Sequence, residues 1–514
     1  MKNKKTFFIT TPIYYPSGNL HIGHLYTTSL AWVIANYKKL MGYDVKFLTG
    51  SDEHGLKIQQ KAEQAKMNTQ EFVDMQVAKF KDLWNLSKID YDYFSRTTSL
   101  KHKEVVLNVF DKLLEKGIIY KGLYKGLYSV SAEEFLTPTQ AVEKNGKYYH
   151  PVSEDELVEI EEESYFFKMS LFQEWLLDYW KTNPKFVFPE QIIRELENNF
   201  LDKGLEDLSV TRISFSWGIP LRKDPKHVIY VWLDALFNYV SALGYSLEQN
   251  EDYLKYWENG DEIVHVVGKE ITRFHCIYWP IMLKALDIKL PTTILSHGLI
   301  RDAQGRKMSK SLNNVVDPIE LLNNFDPEVV KYYLTTQIIV GQDANFDFEN
   351  FKAVYNSNLA NNFGNLLSRT ISMIKQSFES SVKYHESKLS DFEKDIYKAI
   401  SETKATFISE MNDFRVDRAY KAVVQLSKQL NGYVDLTLPW TLKENKERLE
   451  VVLNTLLNGI YAVATMMSPI LKDKSKEVIS QLGIKELSME DLENWSKFDE
   501  VVVQKGNVLF ERIK

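Results

Sequence analysis

The sequence predicts an α/β protein: a parallel-sheet domain broken by an inserted domain, followed by an all-α helical bundle. Three observations predict this. The chain opens on an apolar strand, a helix and a second apolar strand, the order of a βαβ unit. From about Ile118 to Lys226 this alternation stops, and it resumes afterwards. From about Phe351 onward helical periodicity dominates.

"TFFIT" (Thr6–Thr10) reads as the first strand, and a helix from about Gly23 to Met41 carries Leu25, Leu30, Ala31, Ile34 and Ala35 as apolar positions. Gly42 suits a left-handed C-terminal cap, and "DVKFLTG" reads as a second buried strand. Ligands on such sheets bind at the carboxyl ends of strands, where the turn before the helix is expected. The 118–226 stretch is Tyr-rich in "YKGLYKGLYSVSAEEFLT" and acidic in "SEDELVEIEEE". The α/β texture returns in "HVIYVWLDAL", where Trp232 reads as a buried strand residue, and in "EIVHVVGKEIT" and "TTILSHGLI". Four amphipathic segments, among them "NLLSRTISMIKQSF" and "LEVVLNTLLNGIYAVATMM", then make the bundle, punctuated by Pro439 and Pro469.

With 514 residues, two to four structural units are expected, and 44% hydrophobic residues supply their cores. A net charge of −7 gives no global basic field, which leaves a local patch as the route to any nucleic acid. Cys276 is the single cysteine, which excludes an intrachain disulfide and a multi-cysteine zinc site. The N-terminal apolar run is short and broken by Thr and Pro, and no stretch reaches the eighteen or so apolar residues of a membrane span. The expectation is a cytoplasmic, multi-domain protein.

Two motifs carry chemistry. "HIGH" sets His21 and His24 three residues apart at a helix start, with Gly23 between them. Imidazole N–H groups beside a helix N-terminus can hold phosphate oxygens, and a glycine lets a ligand approach the backbone. "KMSKS" sets Lys307 and Lys310 in a polar loop, where two ammonium groups can meet charge developing on a leaving pyrophosphate. Alone, each is matched by a bland alternative, surface histidines or a solvated basic turn. One follows the first strand of the sheet and the other the last, and that joint placement favours phosphate chemistry.

In this arrangement "HIGH" and "KMSKS" resemble the class I aminoacyl-tRNA synthetases. "FITTPIYYPSGNLHIGH", "FLTGSDEHG", "YVWLDALFNYVSALGY", "HVVGKEITRFHCIYWPIML" and "GRKMSKSLNNVVDP" are similar to the methionyl-tRNA synthetase family over essentially the whole chain. The resemblance implies a Rossmann-like catalytic domain (1–117 and 227–300), an inserted connective domain (118–226), a KMSKS and stem-contact region (301–350) and an anticodon-binding bundle (351–514). It also implies activation of methionine with Mg²⁺-ATP to methionyl-adenylate, then transfer to the 3′ end of tRNA(Met).

By the same resemblance His21, Gly23, His24, Gly268, Lys269, Glu270, Lys307 and Lys310 bind ATP, and His21, His24, Lys307 and Lys310 are catalytic. Asp52 holds the substrate ammonium, with Arg212 as its charged companion. Ile13, Tyr15, Trp232, Ala235, Leu236, Tyr239, Phe274 and His275 form the side-chain pocket, whose apolar walls and aromatic edges suit a thioether. Asn365, Arg369, Pro439 and Trp440 read the anticodon by stacking and hydrogen bonding. Many relatives carry a zinc knuckle that begins Cys-x-x-Cys; here Ser129 and Ala132 stand in that stretch and His150 is its one histidine, so no zinc is expected. The chain ends at Lys514 with no basic tail, and a monomer is expected. The rival readings are a leucine- or cysteine-type enzyme, a catalytically inactive tRNA-binding homologue and a small-molecule nucleotidyltransferase.

Overall fold

Strand β1 (Thr6–Tyr14) is buried along nearly its whole length, as befits a strand covered on both faces of a parallel sheet. The structure, a computed structural model, describes residues 4–129, 134–136, 141–151, 154–202, 204–308 and 314–513. Helix α1 (Ile22–Leu40) follows, and β2 (Asp44–Ser51) pairs in parallel with β1, Thr10 opposite Leu48. Gly42, at φ +83°, turns the chain out of the helix. Four further strands complete the sheet: β3 (Tyr93–Arg96), β4 (Val187–Phe188), β5 (Glu262–Gly268) and β6 (Thr293–His297). All pairs are parallel, in the order β3-β2-β1-β5-β6-β4. The winding direction reverses between β1 and β5. Open parallel sheets bind ligands at such a reversal, outside the carboxyl ends of the strands.

Strand β4 comes from within the 118–226 stretch, which therefore supplies an edge of the sheet. The rest of that stretch is built on a long antiparallel pair, Ile119–Ser129 with Val158–Phe167. At one end Leu127, Leu136 and Leu157 form a small apolar cluster, and Ser129 donates a hydrogen bond to Asp155 at 2.7 Å.

The segment around Trp232 corrects the sequence reading. It is helix α2 (Val231–Leu236), and the strand is confined to Val228–Ile229, paired antiparallel with Thr211–Arg212 outside the parallel sheet. A short apolar run does not distinguish strand from helix. Trp232, Ala235 and Leu236, spaced i, i+3, i+4, share a helical face.

Past the sheet come α3 (Pro327–Thr336), α4 (Asn365–Ser377), α5 (Asp391–Asn412), α6 (Val416–Thr437), α7 (Lys446–Met467) and α8 (Lys472–Leu482). A Ser390–Glu393 capping box starts α5, and Glu393 also receives both Arg448 guanidinium nitrogens at 2.8 Å, tying α5 to the start of α7. By length and composition α7 is apolar enough to cross a membrane, a point the sequence reading missed. Its most apolar window is 94% buried within the protein, as in the core helix of a bundle.

The chain divides into two compact units. One comprises Met1–Leu20, Asp44–Asn85 and Ile89–His297; the other His21–Tyr43, Leu86–Lys88 and Gly298–Lys514. In the second, α1 is built among the bundle helices. The Tyr37 hydroxyl donates to Asn412 Oδ1 at 3.1 Å, and the Asn36 amide to the Pro469 carbonyl at 3.2 Å. On α3, the Lys331 ammonium lies 3.9 Å from the centre of the Trp32 ring.

Candidate active site

A cavity of about 300 Å³ lies where the strand order reverses. That volume is at the small end of the roughly 300–1,000 Å³ range of small-molecule sites and fits a compact ligand. Ile13 and Tyr15 enter from the end of β1, with Pro12 beside them. The face of α2 contributes Trp232, Ala235 and Leu236, and Tyr239 continues it one turn later. Past β5, Ile271 and His275 close the wall, one turn apart. Asp52, directly after β2, is its carboxylate.

Asp52 sits between anchored neighbours. Its own N–H donates to the Tyr14 carbonyl at 2.9 Å. Glu53 is fully buried and takes a fork from Arg96, Nε to Oε1 at 2.6 Å and Nη2 to Oε2 at 2.9 Å. The Ser51 and Thr98 hydroxyls also bond it, while the Trp217 indole N–H donates to the Glu53 carbonyl at 2.6 Å. These bonds hold the backbone on either side of Asp52. A fixed carboxylate at the wall of a largely apolar cavity is suited to an ammonium group.

Phe274 and Arg212 are not in the cavity wall. Phe274 stacks on Trp232, centroids 3.4 Å apart and planes at 12°, and so supports the indole. Arg212 is 1% exposed, with its guanidinium 3.6 Å from the Tyr230 ring centre. Its Nη1 donates to Ser209 Oγ at 2.8 Å and to the Thr211 carbonyl at 2.5 Å, and Nε lies 3.7 Å from Glu162. This nest of acceptors and an aromatic face holds the guanidinium apart from the cavity wall.

His275 and Tyr239 set the polarity of the deep wall. His275 Nδ1 lies 3.0 Å from the Ile271 carbonyl, so it carries the proton, and Nε2 accepts from the Tyr239 hydroxyl at 2.7 Å. The Tyr239 proton is thereby committed to His275. Burial drives the imidazole down to about 4 from its ordinary 6.5, so it is neutral at pH 7. The unfolded chain takes up this proton first as pH falls. The stability linked to it is therefore complete above about pH 6.5 and is lost as pH falls toward 4. His275→Gln removes that dependence, and thermal midpoints measured from pH 7 to 4 fall less steeply than in the wild type.

The two "HIGH" histidines cap their own helix. His21 is the N-cap of α1, and its Nδ1 accepts the Gly23 N–H at 3.0 Å. His24 Nδ1 accepts the His21 N–H at 3.0 Å, a capping box made of imidazoles. Since each Nδ1 accepts a backbone proton, each ring holds its own proton on Nε2. The rings lie 3.9 Å apart, so α1 presents a pair of Nε2–H donors where its dipole favours anions. A Cβ on Gly23 would lie 2.8 Å from His21 Cε1, so the glycine also makes room for the capping ring.

At the end of β5, Lys269 and Glu270 are exposed, and the Glu270 carboxylate folds over Gly268, where a Cβ would lie 2.6 Å from Oε2. Lys307 is exposed, whereas Lys310 lies outside the described residues. Asp302 fastens the base of that loop, accepting from Asn314 at 2.8 Å and from Arg306 Nε at 2.8 Å. The Asn314 bond, with those from Arg306, holds the Asp302 carboxyl at about 2. In the bundle, Asn365 and Arg369 are exposed on α4, and the Arg369 guanidinium lies 5.6 Å from the centre of the 44%-exposed Trp440 ring. Pro439 is buried beneath that turn, and Leu438 takes the left-handed conformation at φ +44°.

The profile described as "tRNA synthetases class I (M)" matches residues 7–371, and "Anticodon binding domain of methionyl tRNA ligase" matches residues 385–514. The chain belongs to the methionyl-tRNA synthetase family. A "Methionine--tRNA ligase" of Mycoplasmopsis pulmonis is 50% identical over 99% of this chain and 100% of the relative. That of Bacillus subtilis is 43% identical over 100% of this chain and 79% of the longer relative. A solved Mycobacterium tuberculosis methionyl-tRNA synthetase in complex with methionyl-adenylate superposes with a TM-score of 0.94 at 30% identity, covering 99% of this chain and 100% of that one. In this member of the methionyl-tRNA synthetase family, sequence reasoning missed Pro12, Lys57, Val231 and Ile271 in the cavity wall. It also passed over Glu53, His54 and Asp234, although the first two follow Asp52 in "SDEH" and a charged residue amid an apolar run, as Asp234 is, is a signal.

Proposed function

We propose that this chain is a methionine–tRNA ligase that activates methionine with ATP and esterifies tRNA(Met) with it. The observation that carries this reading is the small cavity with Asp52 in its wall and an aromatic and aliphatic lining. Asp52 pairs with the methionine ammonium, and Trp232, Leu236 and Tyr239 enclose the thioether. The methionine carboxylate attacks the α-phosphorus of Mg²⁺-ATP, the bond to the bridging oxygen breaks, and pyrophosphate leaves. A terminal ribose hydroxyl of the tRNA then attacks the acyl carbon, and AMP leaves. No protein nucleophile takes part, so catalysis is positioning and charge stabilisation.

The Nε2–H groups of His21 and His24 bind phosphate oxygens without a full positive charge, and Lys307 and Lys310 meet the charge on the departing pyrophosphate. Glu270 accepts from the nucleotide ribose, with Gly268 and Lys269 alongside. Arg212 acts on the amino-acid site through Glu162 and Tyr230 rather than by lining it.

The bundle reads the anticodon, with Trp440 as stacking platform and Asn365 and Arg369 as hydrogen-bonding partners. Trp440→Ala loses one stacked base, worth about 1–3 kcal/mol. The KM for tRNA(Met) is therefore expected to rise roughly five- to 150-fold, while tRNA-independent ATP–pyrophosphate exchange stays near wild type. Equal loss in both assays would make Trp440 a structural residue.

The enzyme works as a cytoplasmic monomer without zinc, and the cluster of Leu127, Leu136 and Leu157 serves as packing in the insertion. Metal analysis of the purified protein should find zinc far below one equivalent; a tightly held stoichiometric zinc contradicts this. The function is tested by charging tRNA(Met) transcripts with labelled methionine. Charging that is lost when the anticodon is replaced supports the reading, and charging indifferent to the anticodon removes the role given to the bundle.

A further inference from the structure

Asp234 is fully buried on α2 and is absent from the cavity wall formed by its neighbours Trp232, Ala235 and Leu236. Both its oxygens are engaged: Oδ2 lies 2.6 Å from His54 Nδ1, and Oδ1 lies 2.7 Å from His102 Nε2. His102 Nδ1 is in turn 2.7 Å from Ser241 Oγ. Both imidazoles are 2% exposed, so the whole bridge is out of water. Burial pushes the Asp234 carboxyl up, but the attraction of His54 and the hydrogen bonds from His102 and His54 outweigh it and hold it at about 2. Asp234 is therefore an ionised acceptor, and both rings donate to it. His54 Nε2 has no hydrogen-bond partner among the described residues, so the ring's hydrogen bonding to the protein runs through Nδ1 and Asp234.

Buried charged networks add little stability over well-packed apolar residues. This one fixes geometry. His54 stands two residues after Asp52, and Asp234 stands between Trp232 and Ala235. His102 belongs to the helix Leu100–Glu115, a third element. One carboxylate thus fastens the segment that bears Asp52 to the helix that bears the apolar wall.

We propose that the His54–Asp234–His102 bridge is the positioning device of the amino-acid site, setting Asp52 at a fixed separation from Trp232, Ala235 and Leu236. This rests on the methionine-activating reading above. It governs methionine affinity and leaves ATP affinity alone, because none of its members belongs to the segments assigned to the nucleotide.

The two histidines use different nitrogens, and this supplies the test. An asparagine amide can reproduce an Nδ1–H donor and a glutamine amide an Nε2–H donor. In ATP–pyrophosphate exchange, His54→Leu and His102→Leu are expected to raise the methionine KM about tenfold or more, with the ATP KM within about twofold, since small displacements at a site can cost up to about 10²-fold. His54→Asn and His102→Gln restore the methionine KM. The swapped amides, His54→Gln and His102→Asn, differ by one methylene and do not, which keeps the test decisive if the leucine variants fail to fold. The proposal is overturned if folded variants show an unchanged methionine KM, if both KM values move together, or if matched and swapped amides behave alike. Absence of methionine-dependent exchange in the wild type would instead overturn the functional reading on which it rests.

Discussion

Asp52→Asn is expected to lower kcat/KM for methionine by roughly 150- to 5,000-fold, measured by ATP–pyrophosphate exchange, with the ATP KM little changed. The substitution keeps the size and planarity of the side chain and removes its charge. Asp52 is 8% exposed in the wall of a largely apolar cavity, so an ammonium bound there has left most of its water behind. Removing one partner of such a desolvated pair costs about 3–5 kcal/mol, because the other charge stays buried and uncompensated. The asparagine amide also presents a donor of its own to a substrate group that can only donate. The backbone on either side is held by Glu53 and by the bond to Tyr14, so the variant should fold with a near wild-type circular dichroism spectrum and thermal midpoint. A parallel rise in the ATP KM would show that the change spreads beyond the amino-acid site.

His21→Asn separates the two tasks of the first "HIGH" histidine. Asparagine is among the best N-cap residues, so the bond now made from the Gly23 N–H to His21 Nδ1 is replaced and α1 keeps its start. The Nε2–H donor is lost. Removing one donor that stabilises transition-state charge typically costs about 10²–10³ in kcat. The expected result is a drop of that size in the exchange rate, with the thermal midpoint and methionine KM near wild type. Were the midpoint to fall while activity per folded molecule held, capping would be the whole role of His21.

The sheet and the bundle were legible because their signals are long and regular. The apolar runs at Thr6 and Asp44 and the periodicity of α4 to α7 correspond to elements in the structure. Trp232 was misread because six residues rich in Val, Leu and Trp fit either a strand or a helix, and tertiary packing decides. The cavity residues came through the family resemblance, since an isolated Ile13 or Tyr239 has no distinguishing pattern. What sequence did not carry was orientation. Nothing in "SWGIP" or "SVTRISF" places the Arg212 side chain against Tyr230 instead of in the cavity wall. The bond from His54 to Asp234 spans 180 residues, and nothing in either local sequence points to the other. The imidazole capping box was hidden for another reason: helix starts normally recruit Ser, Thr, Asp or Asn, so histidine at both capping positions reads as a ligand site alone.

The central claim is that the cavity at the reversal of the sheet selects methionine for adenylation. ATP–pyrophosphate exchange with each of the twenty amino acids in turn, without tRNA, tests it most directly. Exchange with methionine is expected to run far above that with every other amino acid. Exchange driven by a different amino acid would contradict the pocket assignment, and no exchange with any, with or without tRNA, would contradict the adenylation chemistry itself.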